Sequence, residues 1–465
     1  MDLSARISRV WSGIERWLDR DRIRFICWGL LGVTIVLMVL SFVTSDTHHQ
    51  TRFGSLGGDF AGFYYAGKIL NGPTPEKLYD PATQDEAYYE IFPTLRPIDE
   101  DHPGKNLPYV HPPIVAFVFR SLAQLPYPTA YAVWLGISAC LYGAGLAVIW
   151  RLLPSIPAGA RAVAFLLALT FEPFLMECWL GGQLSAFAFL CMAVAFYWEG
   201  AGRPVLSGLA LGLCLYKPTL VLLLPPMLVV ARRWWNLIGV GLTGLALALV
   251  SLLTVGPQLC FSYIDALRGF SGTATGTGME RKDWKFIDLN FFFRNLFGEP
   301  TAVGKSLVLI IAAVTLIFLI ISWWRLGGML SRPSRVFAFD SQAITGRESM
   351  APNGRLVWAS TVTWTMVINV YMGIYDMILV VLTILLTAEI FYRGDKHLET
   401  FFPTFKILVF LLVVLSWLTQ PFARLTGFQI ITPVLFVLAA FQLWLAWKTP
   451  EAPALSSNAA DFAKA

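Results

Sequence analysis

The sequence predicts an all-α polytopic membrane protein with about twelve transmembrane helices, and three observations predict it. Hydrophobic residues make up 56% of the 465 and charged residues only 14%, against about 25% charged in soluble domains, with a mean hydropathy of +0.61. Apolar runs of bilayer-crossing or slightly shorter length recur along the chain. Arginines fall at alternate turns between those runs, as an excess of basic residues in cytoplasmic loops requires. The net charge of +5 is distributed by this topology, so it points to membrane lipids and to no nucleic acid. Cys27, Cys140, Cys178, Cys191, Cys214 and Cys260 lie in or beside apolar runs without metal-ligand spacing, and read as small buried hydrophobes.

In chain order, residues 1–24 interleave Arg6, Arg9, Arg16 and Arg20 with Val10, Trp11, Ile14 and Trp17. That pattern predicts an amphipathic helix on the cytoplasmic surface. Residues 25–447 form the transmembrane domain, and 448–465 a disordered cytoplasmic tail. The first span, about 25–44, is retained, and an external loop with interfacial helices follows over 45–127. Within it Phe60–Leu70, Gln84–Phe92 and a segment opened by Pro112-Pro113 read as short helices, since proline suits a first helical turn. Further spans are expected at 128–150, 162–178, 184–199, 204–216, 218–231, 235–255, 303–324, 357–371, 375–391, 403–420 and 428–447. A second external loop covers 256–302. The loop 326–356 carries Arg332, Arg335, Arg347 and Arg355 with no lysine, which makes it cytoplasmic.

This topology brings Asp59, Tyr79, Asp80, His111, Glu172, Gln183, Lys217, Tyr375 and Asp376 to the external ends of their segments. Lys217 sits between apolar flanks at the tip of a short hairpin, where a charge is costly unless it snorkels or meets an anion. Pro218 starts the next helix, whose N-terminal dipole adds to that positive charge, so a lipid phosphate is its natural partner. Asp59 follows two glycines and precedes a helical stretch, which suits an N-cap as well as a chemical role. Asp376 divides in the same way between a first-turn acid and a functional group at membrane depth. No Walker loop, GxSxG or His-Glu-x-x-His is present.

The stretch Gly57-Gly58-Asp59-Phe60, with Tyr64-Tyr65-Ala66-Gly67, Leu78-Tyr79-Asp80 and His111-Pro112-Pro113, resembles the first external loop of glycosyltransferase family 87. The likeness extends over most of residues 57–391. It implies the C-type glycosyltransferase fold and an inverting hexosyltransferase that takes its sugar, mannose above all, from a polyprenyl-phosphate donor, with no cofactor and no metal. The acceptor would be a glycolipid or cell-envelope glycan. The location implied is the bacterial cytoplasmic (inner) membrane, with the active site on the periplasmic or external face. By resemblance Asp59 is the catalytic base, and Lys217, in a similar Lys-Pro pair, holds the donor phosphate. Tyr375 and Asp376, Gln183 of a Gly-Gln turn, Tyr64 and Tyr79 are implied to bind sugar or acceptor. His111 departs from the tyrosine commoner in the family and resembles the His-Pro-Pro of related protein mannosyltransferases. It could bind phosphate when protonated, or hydrogen-bond loop backbone. Two other classes fit the composition. A transporter would place its polar groups near the midplane, and a lipid-binding scaffold would use the charges as anchors only.

Overall fold

The centre of the bundle is a pair of helices, Pro352–Val367 and Ile378–Phe391, with Ile431–Lys448 packed against the first. Every side chain from Asn353 to Val367 is buried, although this helix carries Ser360, Thr361, Thr363 and Thr365. These hydroxyls are tolerated because they pair within the bundle, where the bilayer offers no water. Thr363 Oγ1 donates to Gln442 Oε1 at 2.7 Å, and Gln442 Nε2 donates to Thr387 Oγ1 at 3.0 Å. In this computed structural model the described residues are 12–13, 19–51, 54–96, 108–273, 283–298, 300–329, 352–394 and 396–449.

All twelve expected spans are helical, but they differ in length. Seven are long and apolar enough to cross a membrane: Arg20–Val43, Tyr127–Arg151, Trp234–Arg268, Ala302–Leu326, Ile374–Phe391, Phe402–Thr426 and Ile431–Lys448. An eighth results if Ala158–Leu169 and Pro173–Leu180, bent by 47° at their junction, count as one. Ser185–Gly200, Pro204–Tyr216, Pro218–Val230 and Pro352–Val367 fall short of the roughly 20 residues a perpendicular crossing needs. Position within the bundle also varies. The span Ile374–Phe391 is 89% buried in protein whereas Arg20–Val43 is 11% buried, so the first helix is peripheral and Ile374–Phe391 is central.

The loop helices follow the local signals. Phe60–Asn71, Pro81–Ile91 and Pro113–Phe119 match the three short helices expected after the first span. Asp80 caps the second, accepting from the Thr83 N–H at 2.9 Å, with Pro81 in the first turn. One boundary differs. Gly256-Pro257 reads as the end of a span, yet the helix Trp234–Thr273 resumes beyond it. Gly256 takes φ 84°, a left-handed conformation open to glycine, and so absorbs the bend that Pro257 imposes. The expected loop 256–302 therefore begins as helix. Most of the amphipathic segment 1–24, the greater part of the loop 326–356 and the tail beyond 449 lie outside the described residues.

Candidate active site

Five of the residues singled out by sequence, Asp59, His111, Gln183, Lys217 and Tyr375, line one cavity of about 1000 Å³. That volume is at the upper end for small-molecule sites. Asp59 stands in the N-cap position of Phe60–Asn71, but its side chain makes no capping bond. Instead Gln183 Nε2 donates to its Oδ2 at 2.6 Å. The Gly181 carbonyl accepts from the Asp59 and Phe60 N–H groups at 2.9 and 3.2 Å. Gly182 makes this close approach possible: at φ +74° its missing Cβ would lie 2.5 Å from Phe60 Cβ. The carboxylate is thus turned away from its own helix and towards the cavity.

Lys217 follows the short helical turn Leu213–Tyr216 and precedes Pro218–Val221. Its Nζ lies 2.5 Å from Asp376 Oδ2 and 4.7 Å from the Tyr375 ring centroid. Ser185 Oγ donates to the other Asp376 oxygen at 2.7 Å. Asp376 is fully buried and is not among the cavity-lining residues. It is the counter-ion behind Lys217, because an ammonium at this depth needs a compensating charge. Tyr375 presents its ring to both the lysine and the cavity.

His111 lines the cavity between the rings of Phe63 and Tyr109, at 5.1 and 5.7 Å. Burial, reinforced by the Lys217 charge, lowers its pKa to about 3. The imidazole of the ligand-free protein is therefore neutral at physiological pH. Tyr64 and Tyr79 do not line the cavity. Their hydroxyls donate to the carbonyls of Leu125 (2.8 Å) and His111 (2.7 Å), so both tie the loop together, as its backbone carbonyls require when buried.

The structure adds residues that sequence reasoning missed. Among the described lining residues Asp59 is the single carboxylate, against Lys217, Arg268, Lys285, Arg294 and Lys305. Three more of these cations have a carboxylate partner outside the lining, as Lys217 does: Arg268 meets Asp265 at 3.3 Å. Lys285 pairs with Glu177 at 3.1 Å and Arg294 with Asp283 at 3.0 Å. Burial alone would lower the Lys285 pKa, but the charges of Glu177, Asp59 and Glu172 outweigh it and hold the ammonium above its ordinary value. A lone arginine in the aromatic run Phe291–Phe297 and two glutamates in and beside the apolar helix Pro173–Leu180 were the available signals. No group of three or more metal-ligating side chains occurs among the described residues. The arrangement offers one base, cationic walls for an anion, and aromatic faces at Phe63, Tyr371 and Tyr375 for a sugar ring.

Comparison with known proteins gives the family. The sequence model of glycosyltransferase family 87 matches residues 109–346, which include His111, Gln183, Lys217 and Lys285 and exclude Asp59 and Asp376. No curated protein and no solved structure gives a match. With just over half of its length matched, the chain belongs to glycosyltransferase family 87 and is a membrane-embedded glycosyltransferase.

Proposed function

We propose that the protein transfers a hexose, mannose by family likeness, from a polyprenyl-phosphate donor to a hydroxyl of a glycolipid or cell-envelope glycan, with inversion, on the external face of a bacterial inner membrane. One observation carries this reading: a single carboxylate, Asp59, in a cavity whose other charged lining residues, among those described, are cations. In the proposed reaction the acceptor hydroxyl gives its proton to Asp59 as its oxygen bonds to the anomeric carbon. The bond from that carbon to the phosphate oxygen breaks on the opposite side, and its electron pair leaves with the phosphate. The phosphate departs as a stable anion beside Lys217 and needs no acid. Gln183 holds the base, and Tyr375 and the neutral His111 border the donor.

The cost of burying Lys217 beside Asp376 supports a charged ligand, since such pairs seldom repay their desolvation on their own. Reconstitution tests the reading. Purified protein in liposomes, given radiolabelled polyprenyl-phosphate mannose and a lipid extract, should move label into a new glycolipid. Passage of intact donor across the bilayer without transfer would favour a transporter instead.

A further inference from the structure

We infer that Lys285 is a positioning residue: through Glu177 it fixes the turn Gly181–Gln183 and thereby the Asp59 carboxylate. The catalytic consequence rests on the reading of Asp59 as base, while the mechanical coupling does not. Asp59 has two holds, the Gly181 carbonyl on its N–H and the Gln183 amide on its Oδ2. Both belong to the turn that directly follows the helix Pro173–Leu180, in which Glu177 sits. That helix is π-helical: Gly181 N–H donates to the Met176 carbonyl and Gln183 N–H to the Cys178 carbonyl, each five residues back. Wide turns of this kind are rare and concentrate at functional sites, so their end needs support from outside.

Glu177 supplies it. Its Oε2 accepts from Lys285 Nζ at 3.1 Å and its Oε1 from Gln420 Nε2 at 2.7 Å, so both oxygens are held by other elements. Lys285 is itself rigidly mounted. Gln429 Nε2 donates to the Trp284 carbonyl at 2.6 Å, Ile287 N–H to the Met372 carbonyl at 2.9 Å, and Met372 N–H to Asp288 Oδ2 at 2.9 Å. The segment Trp284–Asp288 is thus bolted to the connection before Ile378–Phe391 and to the residue stretch ahead of Ile431–Lys448. Through one ion pair that frame reaches the Asp59 turn. Nearby Glu172 is buried, and its Oε2 has no hydrogen-bond partner among the described residues. Without the lysine, Glu177 keeps Gln420 alone and loses the counter-charge that ties the helix carrying the turn to Trp284–Asp288.

Hydrogen–deuterium exchange of the purified full-length protein in lipid nanodiscs tests the coupling without needing turnover. Lys285→Met should speed exchange about tenfold or more in peptides covering 57–62 and 178–184 while leaving 378–391 unchanged. Lys285→Arg should exchange like the parent. In the transfer assay Lys285→Met should lower kcat by about 10–100-fold, the scale of supporting-residue losses, with any rise in donor KM smaller than the fall in kcat and with recovery in Lys285→Arg. Unchanged exchange at 57–62, or a rise in donor KM that accounts for the whole loss, overturns the inference. If Lys285→Met exchanges faster everywhere, Glu177→Gln, which keeps an acceptor for Gln420, takes its place: faster exchange confined to 57–62 and 178–184 supports the coupling, and unchanged exchange at 57–62 overturns it. Local loss of protection in a protein that never transfers sugar would count against Asp59 as base and leave the coupling standing.

Discussion

Replacing Asp59 by asparagine removes the basicity of the side chain and little else. Asn can still accept from Gln183 Nε2, now 2.6 Å from the carboxylate, and only the charge assistance of that bond is lost, about 1 kcal/mol. There is no capping bond to lose. Asp59→Ala instead leaves the buried Gln183 amide without its acceptor, which costs about 1–3 kcal/mol. Removal of a general base lowers turnover by roughly 10²–10⁴-fold, or about 2.7–5.4 kcal/mol of barrier. Both variants should therefore be nearly inactive in transfer from polyprenyl-phosphate mannose, with Asn melting close to the parent and Ala a few degrees lower. The reasoning fails if Asp59→Asn retains more than about a tenth of the parent turnover, for then the carboxylate only holds the turn and no proton transfer depends on it.

Three further outcomes follow from the same contacts. Lys217→Ala should weaken donor binding and also destabilise the fold by about 3–5 kcal/mol, because it strands the buried Asp376 charge. Lys217→Met with Asp376→Asn should regain stability in thermal melts but not donor affinity; equal affinity in parent and double variant would confine Lys217 to a structural pair. For His111 the folded pKa of about 3 lies below the unfolded value near 6.5. The folded state then binds fewer protons, so stability is full above about pH 6.5 and is lost as pH falls towards 3. His111→Asn should flatten that acid loss in pH-dependent melts and leave the shape of the rate profile between about pH 5 and 8 unchanged. Gly182→Ala should cost about 1–3 kcal/mol from its left-handed backbone alone, and turnover should fall with it as the added methyl pushes Phe60 and the Asp59 turn apart; parent-like melting and turnover would contradict the packing described.

Much of this architecture is legible in the sequence, and the parts that are not have a common cause. Apolar runs and their arginine boundaries mark segments that are helical in the structure, because burial in lipid or protein imposes the same composition on each. They do not decide which segments cross: 204–216 and 218–230 have the composition of spans but not the length. Gly256-Pro257 reads as a stop since proline removes a backbone donor, yet glycine at φ 84° lets the helix continue at a new angle. Asp59, Gln183 and Lys217 stand out as single residues in unusual surroundings. Their partners do not. Lys217 meets Asp376 across 159 residues and Lys285 meets Glu177 across 108, and no local pattern encodes such pairings. For the same reason the sequence does not show that Asp376 stands behind the lysine. Tyr64 and Tyr79 look like ligand-binding aromatics, but each hydroxyl is engaged by a loop carbonyl.

The central claim is that Asp59 and Lys217 act on opposite sides of one anomeric carbon inside a single cavity. A structure of the full-length Asp59→Asn protein with polyprenyl-phosphate mannose bound tests it most directly. The account predicts the donor phosphate within about 3 Å of Lys217 Nζ, the sugar against Tyr375, and the anomeric carbon facing the residue-59 carboxamide on the side away from the phosphate. A phosphate seated away from Lys217, or a carboxamide on the same side of the sugar as the phosphate, would contradict it.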